Sequence, residues 1–167
     1  MNQPVNLRQE FAQLIHQKME IDSSIWVLTG DLGFGMWDQI KSDFPERFIN
    51  TGAAEQAMMG IAVGLAQAGM TPIVYSITPF LLYRPFETIR NYIHQEKIPV
   101  KLIGSGRNKD YEREGFSHWA EEDKDVMKIF SNIQSSWPEN LSELKQITQK
   151  MLKTKKPFYI NLTKALK

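Results

Sequence analysis

Cysteine is absent from the 167 residues, which excludes disulfides, thiolate zinc sites and a cysteine nucleophile, and fits a reducing compartment. An excess of charge of one sign is also lacking: 20 basic and 19 acidic side chains leave a formal net charge of +1. A chain so balanced has no electrostatic footprint for nucleic acid or an anionic membrane surface. No apolar run approaches the ~20 residues of a membrane-spanning helix, and the opening MNQPVNLR has no apolar leader core. The phosphate-loop pattern GxxxxGK followed by Ser or Thr is missing, as is GxGxxG after a strand, and Gly33-Phe34-Gly35 is too little for either job. No clustered Cys and His offer a metal site, and there is no internal repeat, linker or low-complexity stretch. With 42% hydrophobic and 23% charged residues, the expectation is one cytoplasmic globular domain over residues 1–167.

What is present alternates. Asn6 is placed to cap a helix whose apolar face is Leu7, Phe11, Leu14 and Ile15. Short β-rich runs at 24–30, 47–51, 72–77, 99–103, 131–136 and 158–162 read as strands. Helical patterns fall at 36–44, 54–69, 83–95, from about Trp119, and at 140–154, where Leu141, Leu144, Ile147, Met151 and Leu152 face inward. Strands alternating with helices predict an α/β fold of three layers: a mainly parallel sheet with helices on both faces. In such sheets ligands bind beyond the carboxyl ends of the strands. Asp31, Gly33, Thr51, Glu55, Thr78 and Ser105 all fall at those ends. The lysines of the tail, Lys153, Lys155, Lys156, Lys164 and Lys167, read as solvated surface.

The richest stretch is 50–69, NTGAAEQAMMGIAVGLAQAG. It leaves a strand and continues as a helix with Gly69 placed as its C′ residue. Ala53, Ala57, Gly60 and Gly64 recur every three or four positions. Gly inside a helix costs ~1 kcal/mol relative to Ala, so close packing is implied, either on the domain's own sheet or at a subunit interface. Glu55, in the first turn, is favoured there by the helix dipole and, taken alone, reads more as a first-turn helix acid than as a working group. His118, between a loop and a helix, is of a kind more often structural than catalytic when taken alone, and His16 and His94 read as structural. Arg84 and Arg90 are helix-borne and suit surface ion pairs or an interface.

Four segments together resemble the pyrimidine-binding domain of the transketolase family of thiamine diphosphate enzymes. They are Gly30-Asp31-Leu32, residues 45–69 around Glu55, residues 84–90 (RPFETIR) and residues 115–123 (GFSHWAEED). The resemblance implies the matching fold and a role for Glu55. In that family the glutamate hydrogen-bonds a ring nitrogen of the aminopyrimidine and favours the tautomer whose exocyclic nitrogen removes the C2 proton of the thiazolium. His118 matches the family histidine beside bound substrate. Asp31, Phe80, Leu81 and Arg84 would lie against the cofactor, and no residue here is expected to bind metal. The 2-oxo-acid dehydrogenase beta subunits and deoxyxylulose-phosphate synthases share the domain, and the Ile89-Arg90 pair tilts the reading toward transketolase.

Departures sharpen the expectation. Leu81 stands where an aromatic ring usually covers the pyrimidine, with Phe80 beside it. Thr-His-Gln reads Ser117-His118-Trp119. The histidine of phosphosugar-using members is missing from residues 104–109, and Gly35 replaces a phosphate-binding serine, which argues against a standard phosphorylated sugar. The Gly-Asp-Gly…Asn segment that holds magnesium against the diphosphate is not found in these residues, and the expectation is a chain without the family's C-terminal domain. The reading is therefore a subunit of a split, thiamine diphosphate-dependent transketolase-like enzyme that moves a two-carbon ketol unit between sugar-like or 2-oxo substrates. Its partner would be a diphosphate-binding subunit holding Mg2+ or Ca2+, in a heterotetramer with two copies of each. Alternatives are a subunit of a 2-oxo-acid decarboxylase or synthase, and a noncatalytic assembly domain.

Overall fold

The computed structural model of the chain describes residues 6–163, so Lys164 and Lys167 lie outside the described residues. Asn6 caps α1 (Leu7–Met19) by accepting the Arg8 and Gln9 amides, and Leu7, Phe11 and Ile15 are buried on its inner face. There follow β1 (Ile25–Thr29), α2 (Asp38–Asp43), β2 (Phe48–Asn50), α3 (Glu55–Gln67) and β3 (Thr71–Ile77). The end of α3 is set by Gly69, whose φ of 87° is in the region glycine favours. The Gly69 amide donates to Ala66 O and the Met70 amide to Leu65 O, the paired bonds of a glycine-terminated helix.

After β3 the expectation of one helix over 83–95 fails in its start and its continuity. The chain turns helical at once as α4 (Thr78–Tyr83), with Pro79 in the first turn, where a missing N–H breaks no bond. Pro85 interrupts the ladder, and the chain resumes as α5 (Phe86–Thr88) and a π-helical segment, Ile89–Gln95. No local signal in the sequence marks that widening. Next come β4 (Lys101–Ser105), α6 (Asp123–Ile129), β5 (Gln134–Ser136), α7 (Leu141–Lys153) and β6 (Phe158–Leu162). The helix expected from Trp119 begins four residues later, because Gly115 (φ 83°) opens a short 3-10 turn, Phe116–His118, and Trp119 itself is extended.

Among the described residues the five strand pairings are all parallel, in the order β2-β1-β3-β4-β6-β5. Alternate strand residues feed two cores. Val27, Ile73, Tyr75, Ile103 and Ile160 pack with α1, α2 and α7, while Leu28, Val74, Leu102 and Tyr159 pack with α3, α4, α5 and α6. This is the three-layer α/β arrangement expected. The chain runs from β1 to β2 on one side and returns to β3 on the other, so β1 and β3 flank a switch point, where a crevice opens beyond their carboxyl ends.

One lysine does not follow the solvated pattern of Lys153, Lys155 and Lys156. Lys101, at the opposite end of β4, is 1% exposed, and its ammonium donates to the carbonyls of Thr154 (2.8 Å) and Lys156 (2.7 Å) just past α7. Burial lowers its pKa from 10.5 to about 8. Among the described residues no helix is long and apolar enough to cross a membrane.

Candidate functional site

Glu55 is the first residue of α3, yet it is 1% exposed. A buried carboxylate needs bonds to both oxygens. Oε1 accepts the Ser76 hydroxyl at 2.8 Å, and Oε2 accepts Arg84 Nη1 at 2.6 Å. Gly30, just past β1, leaves room for the carboxylate: a Cβ there would stand 3.0 Å from Glu55 Oε1 and 3.4 Å from Ser76 Oγ. Gly30, Glu55 and Ser76 thus meet at the β1/β3 switch point.

The neighbours of Glu55 continue outward in a line. The Arg84 guanidinium lies 3.8 Å above the Phe80 ring, and that ring meets the His118 imidazole edge-on at 4.8 Å. Ser117 Oγ and His118 Nδ1 are 3.0 Å apart. Phe80 and Arg84 share a helical face at i and i+4. Leu81 points the other way: it is fully buried in the core among the residues of α3 and α4. The expectation that Leu81 offers a surface to a cofactor is therefore corrected by helical phase, and Phe80 is the ring at the rim.

Asp31 is exposed at the same edge with φ 57°. Its amide donates to Asn50 Oδ1 at 3.0 Å and its carboxylate accepts Asn50 Nδ2 at 3.3 Å, so it bridges β1 to β2 and does not touch Glu55. Beside β3 lies a cavity of about 300 Å³ lined by Arg8, Gly33, Phe34, Tyr75 and Tyr111 among others. Arg8 Nη1 donates to Tyr111 OH at 3.2 Å, and Tyr111 OH lies 2.8 Å from Ser105 Oγ. Burial raises the Tyr75 phenol pKa, against the lowering effect of Ser105 and Arg8.

Ser76, Arg8 and Tyr111 were not singled out by their sequence context. Arg8 did carry a signal: a cation in the first turn of a helix opposes the dipole and calls for a reason. Among the described residues no group of three or more His, Cys, Asp or Glu could hold a metal ion.

The small-residue face of α3 is settled by its direction. Met58, Met59, Ala62 and Val63 face the sheet, whereas Ala53, Ala57, Gly60 and Gly64 are exposed. A Cβ on Gly60 or Gly64 would meet nothing within 4 Å. Packing on the domain's own sheet is therefore not what keeps these residues small.

Comparison with known proteins agrees with this geometry. The family profile "Transketolase, pyrimidine binding domain" matches residues 3–167. The chain is 33% identical over 120 residues to one subunit of an apulose-4-phosphate transketolase from Actinobacillus succinogenes, covering 72% of this chain and 39% of that one. It is 28% identical over 170 residues to a 6-deoxy-6-sulfo-D-fructose transketolase subunit from Clostridium sp., covering 97% and 53%. A solved split-gene transketolase, described as an inactive beta4 tetramer, superposes with a TM-score of 0.84 at 30% identity over 98% of this chain and 53% of that one. The chain thus spans about half the length of these relatives or less. By the profile match over nearly its whole length, the chain belongs to the transketolase pyrimidine-binding domain family, a family of thiamine diphosphate-dependent enzymes.

Proposed function

We propose that this chain is the pyrimidine-binding subunit of a split thiamine diphosphate-dependent transketolase-like enzyme, transferring a two-carbon ketol unit between sugar-like or 2-oxo substrates. The observation that carries the reading is the buried Glu55 carboxylate, cradled by Gly30 and Ser76 at the switch point of a parallel sheet. That cradle fits the aminopyrimidine end of the cofactor, which needs an acid to share a proton with a ring nitrogen. Oε1 is closed in by Ser76 and Gly30, so Oε2, on the side of the half-exposed Arg84, is the oxygen such a nitrogen reaches.

When bound, the cofactor would supply the carbanion chemistry. The chain's own groups place and protonate. Glu55 holds the shared proton, Phe80 offers a flat face, Arg84 neutralises the carboxylate, and His118 faces the substrate oxygens. Asp31 stands at the edge of the same rim.

A second subunit would hold the diphosphate through Mg2+ or Ca2+, in a heterotetramer with two copies of each chain. The exposed Ala and Gly face of α3, the helix whose first residue is the buried Glu55, is the surface where that assembly would close over the site. The relatives that are themselves transketolase subunits, and the split-gene structure, support this division of labour.

The test is exchange of the cofactor's C2 proton in the chain mixed with its diphosphate-binding partner. Glu55→Gln is expected to slow exchange by about 10²–10⁴-fold, the usual contribution of a placed acid or base. Exchange at the unsubstituted rate would overturn the reading, and trials with ketose and 2-oxo-acid donors would assign the substrate class.

A further inference from the structure

The loop that carries His118 is closed by a buried carboxylate with no role in the site described above. Asp123 heads α6 and is 5% exposed. One of its oxygens, Oδ2, accepts Trp137 Nε1 at 2.6 Å, Asn161 Nδ2 at 2.8 Å and Tyr159 OH at 2.9 Å. The Tyr159 phenol is pushed well above its ordinary pKa by burial and then by the Asp123 charge, so it stays a donor.

Asn161 carries the connection onward. Its Nδ2 also lies 3.1 Å from Thr78 Oγ1 and 3.1 Å from Gly106 O, and the Thr78 hydroxyl donates to Gly106 O at 2.8 Å. Thr78 is the first residue of α4, the helix of Phe80 and Arg84. Gly106 is where the chain leaves β4 for the His118 loop. At that end Arg107 Nη2 donates to the carbonyls of Pro138 and Asn161, each at 2.7 Å. Mid-loop, the Ala120 amide donates to Asn108 O at 2.7 Å. Both ends of the loop, and the start of α4, are thus tied to one side chain of β6.

Stability alone does not call for such a hub, since apolar side chains of similar volume often serve a core as well as buried charges do. Directional bonds to a buried carboxylate specify one geometry instead, although Asn161 Oδ1 is left without a partner. The geometry in question is the 4.8 Å contact between the Phe80 and His118 rings, which belong to the two tied segments. We propose that Asp123 is a positioning residue, which holds His118 in register with Phe80 by tying the end of the His118 loop to the start of α4 through Asn161. The significance for turnover rests on reading His118 as substrate-facing; the positional claim stands on the contacts alone.

The test uses the full chain labelled with carbon-13 at histidine Cε1. Its 3 histidines give three signals, assigned by His→Asn variants. His118 is shifted by the Phe80 ring, while His16 and His94 lie against Phe44 and Phe130 and bond to Asp43 and Asn132, outside the Asp123 hydrogen bonds. In Asp123→Asn the His118 signal is expected to move toward that of an unstacked imidazole, with the other two unmoved. Trp137→Phe, which removes one donor and leaves two, should move it the same way by less; it decides the matter if Asp123→Asn does not fold. A lowered melting temperature with the His118 signal in place would reduce Asp123 to a structural residue and overturn the proposal. In the enzyme assembled with its partner, Asp123→Asn is expected to lose about 10²-fold in turnover, as for a misplacement of ~1 Å. Should His118→Asn prove fully active, the functional reading fails while the positional one survives.

Discussion

The Glu55–Arg84 pair is lopsided, and the lopsidedness sets measurable stabilities. Glu55 is 1% exposed and Arg84 is 42% exposed. Removing one partner of a buried pair typically costs about 3–5 kcal/mol, because the other charge is left without compensation. Here only the carboxylate is buried, and water can reach the space that a truncated Arg84 leaves. The expected cost of Arg84→Met is therefore about 2 kcal/mol, including ~0.5–1 kcal/mol for the contact with Phe80. For a chain of this size that lowers Tm by roughly 4–8 °C. Glu55→Gln is different. The amide still accepts the Ser76 hydroxyl, and the stranded arginine is solvated, so stability should stay within about 0.5 kcal/mol of the parent. The double variant should fall below Glu55→Gln only by the lost Phe80 contact, ~0.5–1 kcal/mol, a coupling of about 1–1.5 kcal/mol. Urea and thermal unfolding of the four proteins at one concentration measures this cycle. Arg84→Met melting with the parent, or a double variant that falls by the sum of the singles, would refute the claim that Arg84 compensates a buried carboxylate.

Three further outcomes are expected of the same structure. Gly60→Ala and Gly64→Ala should each stabilise the isolated chain by up to ~1 kcal/mol, since nothing meets the new Cβ and Ala is the better helix former. Replacement of either by Leu should weaken assembly with the diphosphate-binding partner at least tenfold in sedimentation experiments; tight assembly of the Leu variants would place the interface elsewhere. For Lys101, whose pKa falls from 10.5 to about 8, the unfolded state binds more protons between those two values. Stability should therefore rise with pH across that window, by at most ~1.4 kcal/mol per unit. Lys101→Met should lose that component of the slope, and an unchanged stability–pH curve would show that the ammonium is not held as described.

The alternation of short apolar strands with amphipathic helices determined the three-layer parallel fold, because each periodicity admits one way of burying its apolar residues. Local chemistry likewise fixed the Asn6 cap, the Gly69 terminus and the carboxyl-edge position of Glu55, all of which depend on neighbours in the chain. Where elements began was less legible: the helix after β3 starts at Thr78, and the helix after His118 waits for Asp123, because proline and glycine reset the backbone between them. The site divided along the same line. Glu55, Arg84 and His118 could be named from segments, but their alignment through Phe80 could not, since it joins three segments whose named residues are 29 or more positions apart. Helical phase, which the sequence leaves open until the start of α4 is known, turned Phe80 outward and Leu81 into the core. The Ala and Gly pattern on α3 was plain in the chain, but its direction was not. Periodicity shows that a helix has a distinctive face, and only packing decides whether that face meets the sheet or, as here, solvent. Lys101 and Asp123 make the same point for buried charge: a charged residue in a sequence carries no mark of burial until the tertiary structure brings it partners.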